Sequence, residues 1–170
     1  MFLAAGLAVL MLLSACAARP TPYQPRDGAF GYAQTQIDSQ TWRVDFAGNV
    51  DTPRGTVENY LLYRSAEIML FGGHERFVVL EKEVERTRDY RTTGPHPYRF
   101  AYHGWRDRHR RHPHWPYYYG HSAPHTYAYD SYRAFATIRV YSGGPPPAGL
   151  SVYAARDLIA RLGPSVVLPH

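Results

Sequence analysis

Seven of the nine histidines fall between His96 and His125, the densest concentration of potential chemistry in the chain. Neutral imidazole is a good ligand for zinc, copper or nickel, and His-rich tracts often bind such metals. The tightest group is His109-x-x-His112-x-His114, so a metal reading puts Zn, Cu or Ni on these three residues. Pro113 and Pro116 forbid a regular helix across the group, which rules out an HExxH arrangement. Asp107 is the one carboxylate close by, and Arg106, Arg108, Arg110 and Arg111 would repel a cation. Those four arginines suit a second chemistry. Beside Trp105, Trp115 and Tyr117 to Tyr119, they can pair with phosphates or carboxylates while the rings sit at a membrane interface. The plainest reading is a low-complexity insert with no dedicated ligand. Catalytic chemistry finds less to build on. No Gly-rich phosphate loop and no nucleophile elbow occur; Glu81, Glu83 and Glu85 alternate as on a solvated strand end, and His74 beside Glu75 sits in a loop. No catalytic residue is assigned and an enzyme is not expected; apart from the metal reading, neither is a cofactor.

The only cysteine, Cys16, ends Leu13-Ser14-Ala15-Cys16, directly after the uncharged apolar run Phe2 to Leu13. Such a run is too short for the roughly 30 Å bilayer core, which takes about 20 residues. It matches the apolar core of a cleavable export signal with small residues before the cut. The arrangement resembles a bacterial lipoprotein signal with its lipobox. That resemblance implies removal of residues 1–15, diacylation of the Cys16 sulfur and acylation of its freed amine, palmitate being the expected kind of chain. Several acyl chains hold a protein firmly in a membrane. Ala17, where an aspartate would retain the protein at the inner membrane, resembles cargo sent to the outer membrane, facing the periplasm. One departure stands out: no Lys or Arg precedes the apolar run.

Residues 16–170 are enough for one domain with a real core. With no further cysteine, disulfides and a structural zinc–thiolate site are excluded. The formal charge is +5, and Lys82 is the sole lysine among nineteen basic residues. Arginine favours bidentate contact with phosphate or carboxylate. In an envelope the matching partners are anionic lipids and polymers; nucleic acid is not expected. A merely solvated arginine face is the plainer alternative.

The elements that must position these residues are legible from pattern. Ala17 to Arg26 carries Pro20, Pro22 and Pro25 and reads as an extended tether, with the lipidated segment spanning 16–29 and the domain 30–170. Tyr32 to Ile37 and Thr41 to Ala47 form a hairpin about Asp38-Ser39-Gln40; in the second strand Trp42, Val44 and Phe46 alternate with Arg43 and Asp45. Thr52 is placed to cap a helix with Pro53 at its first position. Val57, Leu61, Arg64, Ile68 and Phe71 form that helix's stripe, widened by Leu62, Ala66 and Met69, and Gly72-Gly73 ends it. A central strand follows from Arg76, with Glu81 to Glu85 projecting beyond the sheet. Residues 87–130 are the insert, too long for an ordinary connection. Tyr132 to Tyr141 is a strand with Ala134, Ala136, Ile138 and Val140 on one face. Ser151 caps a short helix of Val152, Ala155, Leu158, Ile159 and Leu162, closed by Gly163-Pro164. The order ββαββα predicts a two-layer α+β sandwich: a four-stranded, mostly antiparallel sheet with two helices on one face.

Several segments together, Gly31-Tyr32, Val44-x-Phe46-x-Gly48-Asn49, Tyr60 to Glu67 and Phe77-Val78-Val79, resemble a family of small uncharacterised Gram-negative lipoproteins. Its members share a lipobox, a GN turn followed by a Thr-capped helix, and a YLLYRAAE-like helix core. Ser65 stands where alanine is usual. Ala154 to Pro164 resembles the family's closing helix. The resemblance implies an envelope lipoprotein and brings no catalytic residues. Within the helix motif, Arg64 and Glu67 are three apart and read as a structural ion pair; an inward Arg64 would need Asp45, Glu67 or backbone carbonyls.

Overall fold

The structure, a computed structural model, describes residues 19–93, 125–145 and 148–169. It is an α+β fold. Five strands, β1 (Gly31–Asp38), β2 (Thr41–Ala47), β3 (Arg76–Thr93), β4 (His125–Val140) and β5 (Val152–Ala154), form one sheet in the order β1-β2-β4-β3-β5. Helices α1 (Arg54–Phe71) and α2 (Ala155–Leu162) contribute to the same core, and a 3-10 turn, Gly163–Ser165, follows α2. The pairs β1–β2, β2–β4 and β3–β5 are antiparallel.

The chain divides into two compact units, one of Met1–Arg88 with Asp130–His170 and a smaller one of Asp89–Tyr129. In the larger unit the hairpin turns at Ser39-Gln40. The Asp38 carboxylate accepts the Gln40 N–H at 2.8 Å, the local bond that makes aspartate a turn former. That bond, more than any other contact, holds the exposed Asp38 carboxyl below its ordinary value. Alternation in β2 buries Val44 and Phe46 while Arg43 is exposed. Register matches large to small: Phe46 faces Ala134 and Val44 faces Ala136. The space beside Phe46 is taken by Tyr60 of α1, whose ring meets it edge-on at 5.0 Å. Gly48 follows β2 because a Cβ there would come within 2.7 Å of the Thr52 side chain. At Gly31, φ is +106° and a Cβ would meet the Gln24 carbonyl at 2.7 Å.

The structure corrects several expectations. Strands β3 and β4 run on through 87–93 and 125–130, residues read as part of the insert. The sheet has five strands, and the order is ββαβββα. Val152, expected on the last helix, pairs with Val78 in β5, and α2 begins at Ala155 with no side-chain cap from Ser151. Three residues are too few to show a strand period, and edge pairing with Arg76–Val78 overrides the weak helical start. Thr52 does not cap α1; Pro53 precedes the helix without a side-chain cap, and the buried Thr52 hydroxyl is committed elsewhere. Phe71 is 82% exposed, while Tyr60 and Ser65 join the buried stripe. The Ser65 hydroxyl donates to the Leu61 carbonyl at 2.8 Å, which is how a polar group is accommodated in place of alanine.

Phe77 and Val78 are both buried, as a strand apolar on both faces requires, and Glu81, Glu83 and Glu85 are exposed further along β3. Gly73, at φ +76°, turns the chain out of α1, and His74 N–H returns to the Met69 carbonyl at 2.8 Å.

The smaller unit, over its described residues, is the far end of β3 and the near end of β4. Thr92 and Thr126 hydroxyls meet at 3.0 Å and the Thr93 hydroxyl donates to the His125 carbonyl at 3.3 Å. Arg91 lies 5.8 Å from the Tyr129 ring centre. Tyr90 and Tyr127 are exposed. Among the described residues no helix is long and apolar enough to cross a membrane.

Candidate functional site

The region where the N-terminal segment joins the larger unit is the most elaborately held part of the surface. Thr21 and Tyr23, within the stretch read as tether, are buried. The packed body therefore includes them. Thr21 N–H donates to the Thr52 hydroxyl at 2.8 Å, and the Thr21 hydroxyl accepts Asn49 N–H at 2.9 Å. The Thr52 hydroxyl donates to the Asn49 side-chain oxygen at 2.6 Å, and the Asn49 amide reaches the Arg19 carbonyl at 2.7 Å. Asn49 thus shapes the turn, as its Asx bond to Asp51 N–H at 3.2 Å also indicates.

Two residues further on, Tyr23 enters an aromatic group with Tyr32, Tyr60 and Tyr63, all with ring centres within 5.5 Å of its own. Its hydroxyl donates to Glu67. Burial first, and then this bond to a carboxylate, pushes the Tyr23 phenol far above its ordinary value. Glu67 also accepts from Arg64 at 2.7 Å, so the expected ion pair is present. Arg64 lies 4.3 Å over the Tyr32 ring and donates to Gln34 at 2.8 Å, not to Asp45. Tyr23, Glu67 and Arg64 clamp the N-terminal segment to α1 and β1.

Beside the clamp a groove of about 560 Å³ opens. Pro20 and Pro22 form one wall, Thr56 and Tyr60 of α1 the floor, and Val167 and Leu168 the other wall. The C-terminal tail is stitched in place by Tyr23 N–H to the Val167 carbonyl at 2.7 Å and by Val167 N–H to the Tyr60 hydroxyl at 3.0 Å.

The sheet surface away from the core offers a second, more polar arrangement. Phe135 carries Arg43 at 5.4 Å and Arg133 at 4.8 Å from its ring centre. Asp45 pairs with Arg26 and, at 2.9 Å, with Arg133. A crevice of about 10 Å³ beside Phe135, bordered by Glu81 and Glu83, has room for little more than one water. Arg86 and Arg88 pair with Asp130 at 2.5 and 2.9 Å.

Of the residues singled out from sequence, Arg64 and Glu67 are brought together. Cys16, His109, His112, His114, Arg106, Arg108, Arg110 and Arg111 lie outside the described residues. Among the described residues no group of three or more His, Cys, Asp or Glu is placed to hold a metal. Sequence reasoning missed Tyr23, Thr21 and the tail at Val167. Each is defined by a partner more than thirty positions away in sequence, which no local period encodes. The tyrosine in an otherwise proline-punctuated stretch was the one available signal. Compared with protein-family models, with curated proteins and with solved structures, the chain matches none.

Proposed function

We propose that this protein is a lipid-anchored envelope protein that binds or supports an anionic envelope component without catalysing a reaction, held at the outer membrane and facing the periplasm. The observation that carries the reading is the apolar run ending in Leu13-Ser14-Ala15-Cys16, three residues ahead of the point where Arg19 is tied to the folded body. The lipoprotein-family resemblance of the helix and GN-turn motifs points the same way. Support for an anionic partner comes from the arginine-dominated charge. The segment between Thr93 and His125 in the sequence adds Arg106, Arg108, Arg110 and Arg111.

The test is to label cells with a fatty-acid analogue and fractionate their membranes. Label at Cys16, lost in Cys16→Ser along with outer-membrane sedimentation, is the expected result; an unlabelled, soluble wild-type protein overturns it. The competing reading, a zinc, copper or nickel site at His109, His112 and His114, rests on the density of imidazoles there. It requires metal binding that disappears when all three become alanine.

A further inference from the structure

We propose that the groove between the N-terminal segment and the C-terminal tail seats one acyl chain of the Cys16 anchor, the chain joined by an amide bond to the Cys16 nitrogen. This rests on the lipoprotein reading and adds to it a place where the lipid meets the protein. Pro20 and Pro22 give the groove an apolar wall and Tyr60 an aromatic floor, and its 560 Å³ lies within the range of clefts that take small ligands. Val167 and Leu168 are 58% and 63% exposed at its rim, although the tail backbone is pinned by hydrogen bonds. Apolar side chains held rigidly open to water gain free energy when an apolar occupant covers them.

Reach identifies the occupant. Arg19 borders the groove, and its carbonyl is fixed by Asn49. Only Ala17 and Ala18 separate it from Cys16, so the acylated residue starts within about 11 Å of that border. The amide-linked chain leaves from the backbone itself and is the one this short connection delivers. Stable anchoring takes about two chains in the bilayer. A three-chain anchor can therefore keep one chain against the protein and stay moored. Seated in this way, the chain fixes the orientation of the body relative to its attachment point.

The full chain, with its leader, is expressed in a Gram-negative host fed a fatty acid carrying a diazirine and an alkyne. Intact mass is read first, then membranes are irradiated and ester-linked chains are removed with mild alkali. The expected product joins the N-terminal peptide to peptides containing Thr56 and Tyr60 or Val167 and Leu168. A Val167→Glu, Leu168→Glu double variant, altered only at exposed positions, should reduce that product by about tenfold or more, since a charge against an apolar chain is strongly unfavourable. Thr56→Trp, which fills the floor, should do the same. Acylated protein cross-linked only to phospholipid, or to a second copy, overturns the groove assignment and leaves the anchor intact. A mass showing an uncleaved leader and a bare thiol overturns both.

Discussion

Tyr23 and Thr52 show how single hydroxyls fix the N-terminal segment. The Tyr23 phenol is held far above its ordinary value by burial and by Glu67. Its proton is thus bound more tightly in the folded state than in the unfolded one, where the group titrates near pH 10. Stability from this group is complete below about pH 10 and is lost as pH rises beyond it, because the unfolded chain then ionises first. Denaturant melts across alkaline pH should show that decline. In Tyr23→Phe the slope should flatten, with about 1–2 kcal/mol lost at neutral pH from the missing bond to a carboxylate. Tyr63, raised by burial and by Glu67, accounts for a residual slope. Thr52 makes a different point. Thr52→Val strands the buried Thr21 N–H, an expected cost of about 1–3 kcal/mol, whereas Thr52→Ser retains the acceptor and should cost less. Urea unfolding of both variants distinguishes the hydroxyl from the methyl.

Between elements, apolar contact outweighs charge. Glu58 of α1 accepts from Lys82 of β3 at 2.5 Å and from Arg54 at 2.8 Å. The Lys82 bond, ahead of Arg54, keeps the Glu58 carboxyl below its ordinary value despite an opposing effect of burial. A depressed carboxyl stabilises the fold above the unfolded value, about pH 4, and that contribution fades as pH falls through the folded one. The groups are substantially exposed, so Lys82→Ala should cost less than about 1 kcal/mol. Phe46→Ala, emptying the space between α1 and β4, should cost about 3–5 kcal/mol by the same unfolding measurement. This contrast also explains what was legible in advance. The alternation through β2, the Asp38 turn and the Gly73 exit are local devices with short-range physical causes, and their elements lie where the pattern places them. β5 exists because β3 offers a pairing edge, Phe71 is exposed although it continues the stripe of α1, and Thr21 and Tyr23 of the tether are buried because they find Thr52 and Glu67. Those three depend on tertiary partners, so no spacing rule reaches them. Of the groove's lining, Arg19 to Pro22 belong to the segment read as a tether and Pro53, Thr56 and Tyr60 to the predicted helix, but no spacing rule brings them together with Val167 and Leu168.

At the scale of the whole molecule, the hydrophobic core draws none of its described residues from between Glu85 and Ser131. Joining Thr93 to His125 through an Asn-Gly turn should therefore leave the thermal midpoint within a few degrees of wild type, as loop length contributes only weakly to stability. The same deletion should abolish binding of the non-lipidated protein to anionic vesicles. In the parent that binding should weaken with salt and strengthen in acid, as the six histidines between Thr93 and His125 add charge to the formal +5. Co-sedimentation at two salt concentrations and two pH values provides the check. Vesicle binding unchanged by the deletion would remove the insert from the proposed function.

The stitching of Tyr23 N–H to the Val167 carbonyl has a mechanical consequence. Any tension applied to the chain at Arg19 is met at once by the Asn49 and Thr21 bonds, then by the stretch of chain around Val167. Clipping the chain after Ser165 would remove a brace against traction, so such a protein should peel open from its leading end at lower force while the sheet itself stays whole.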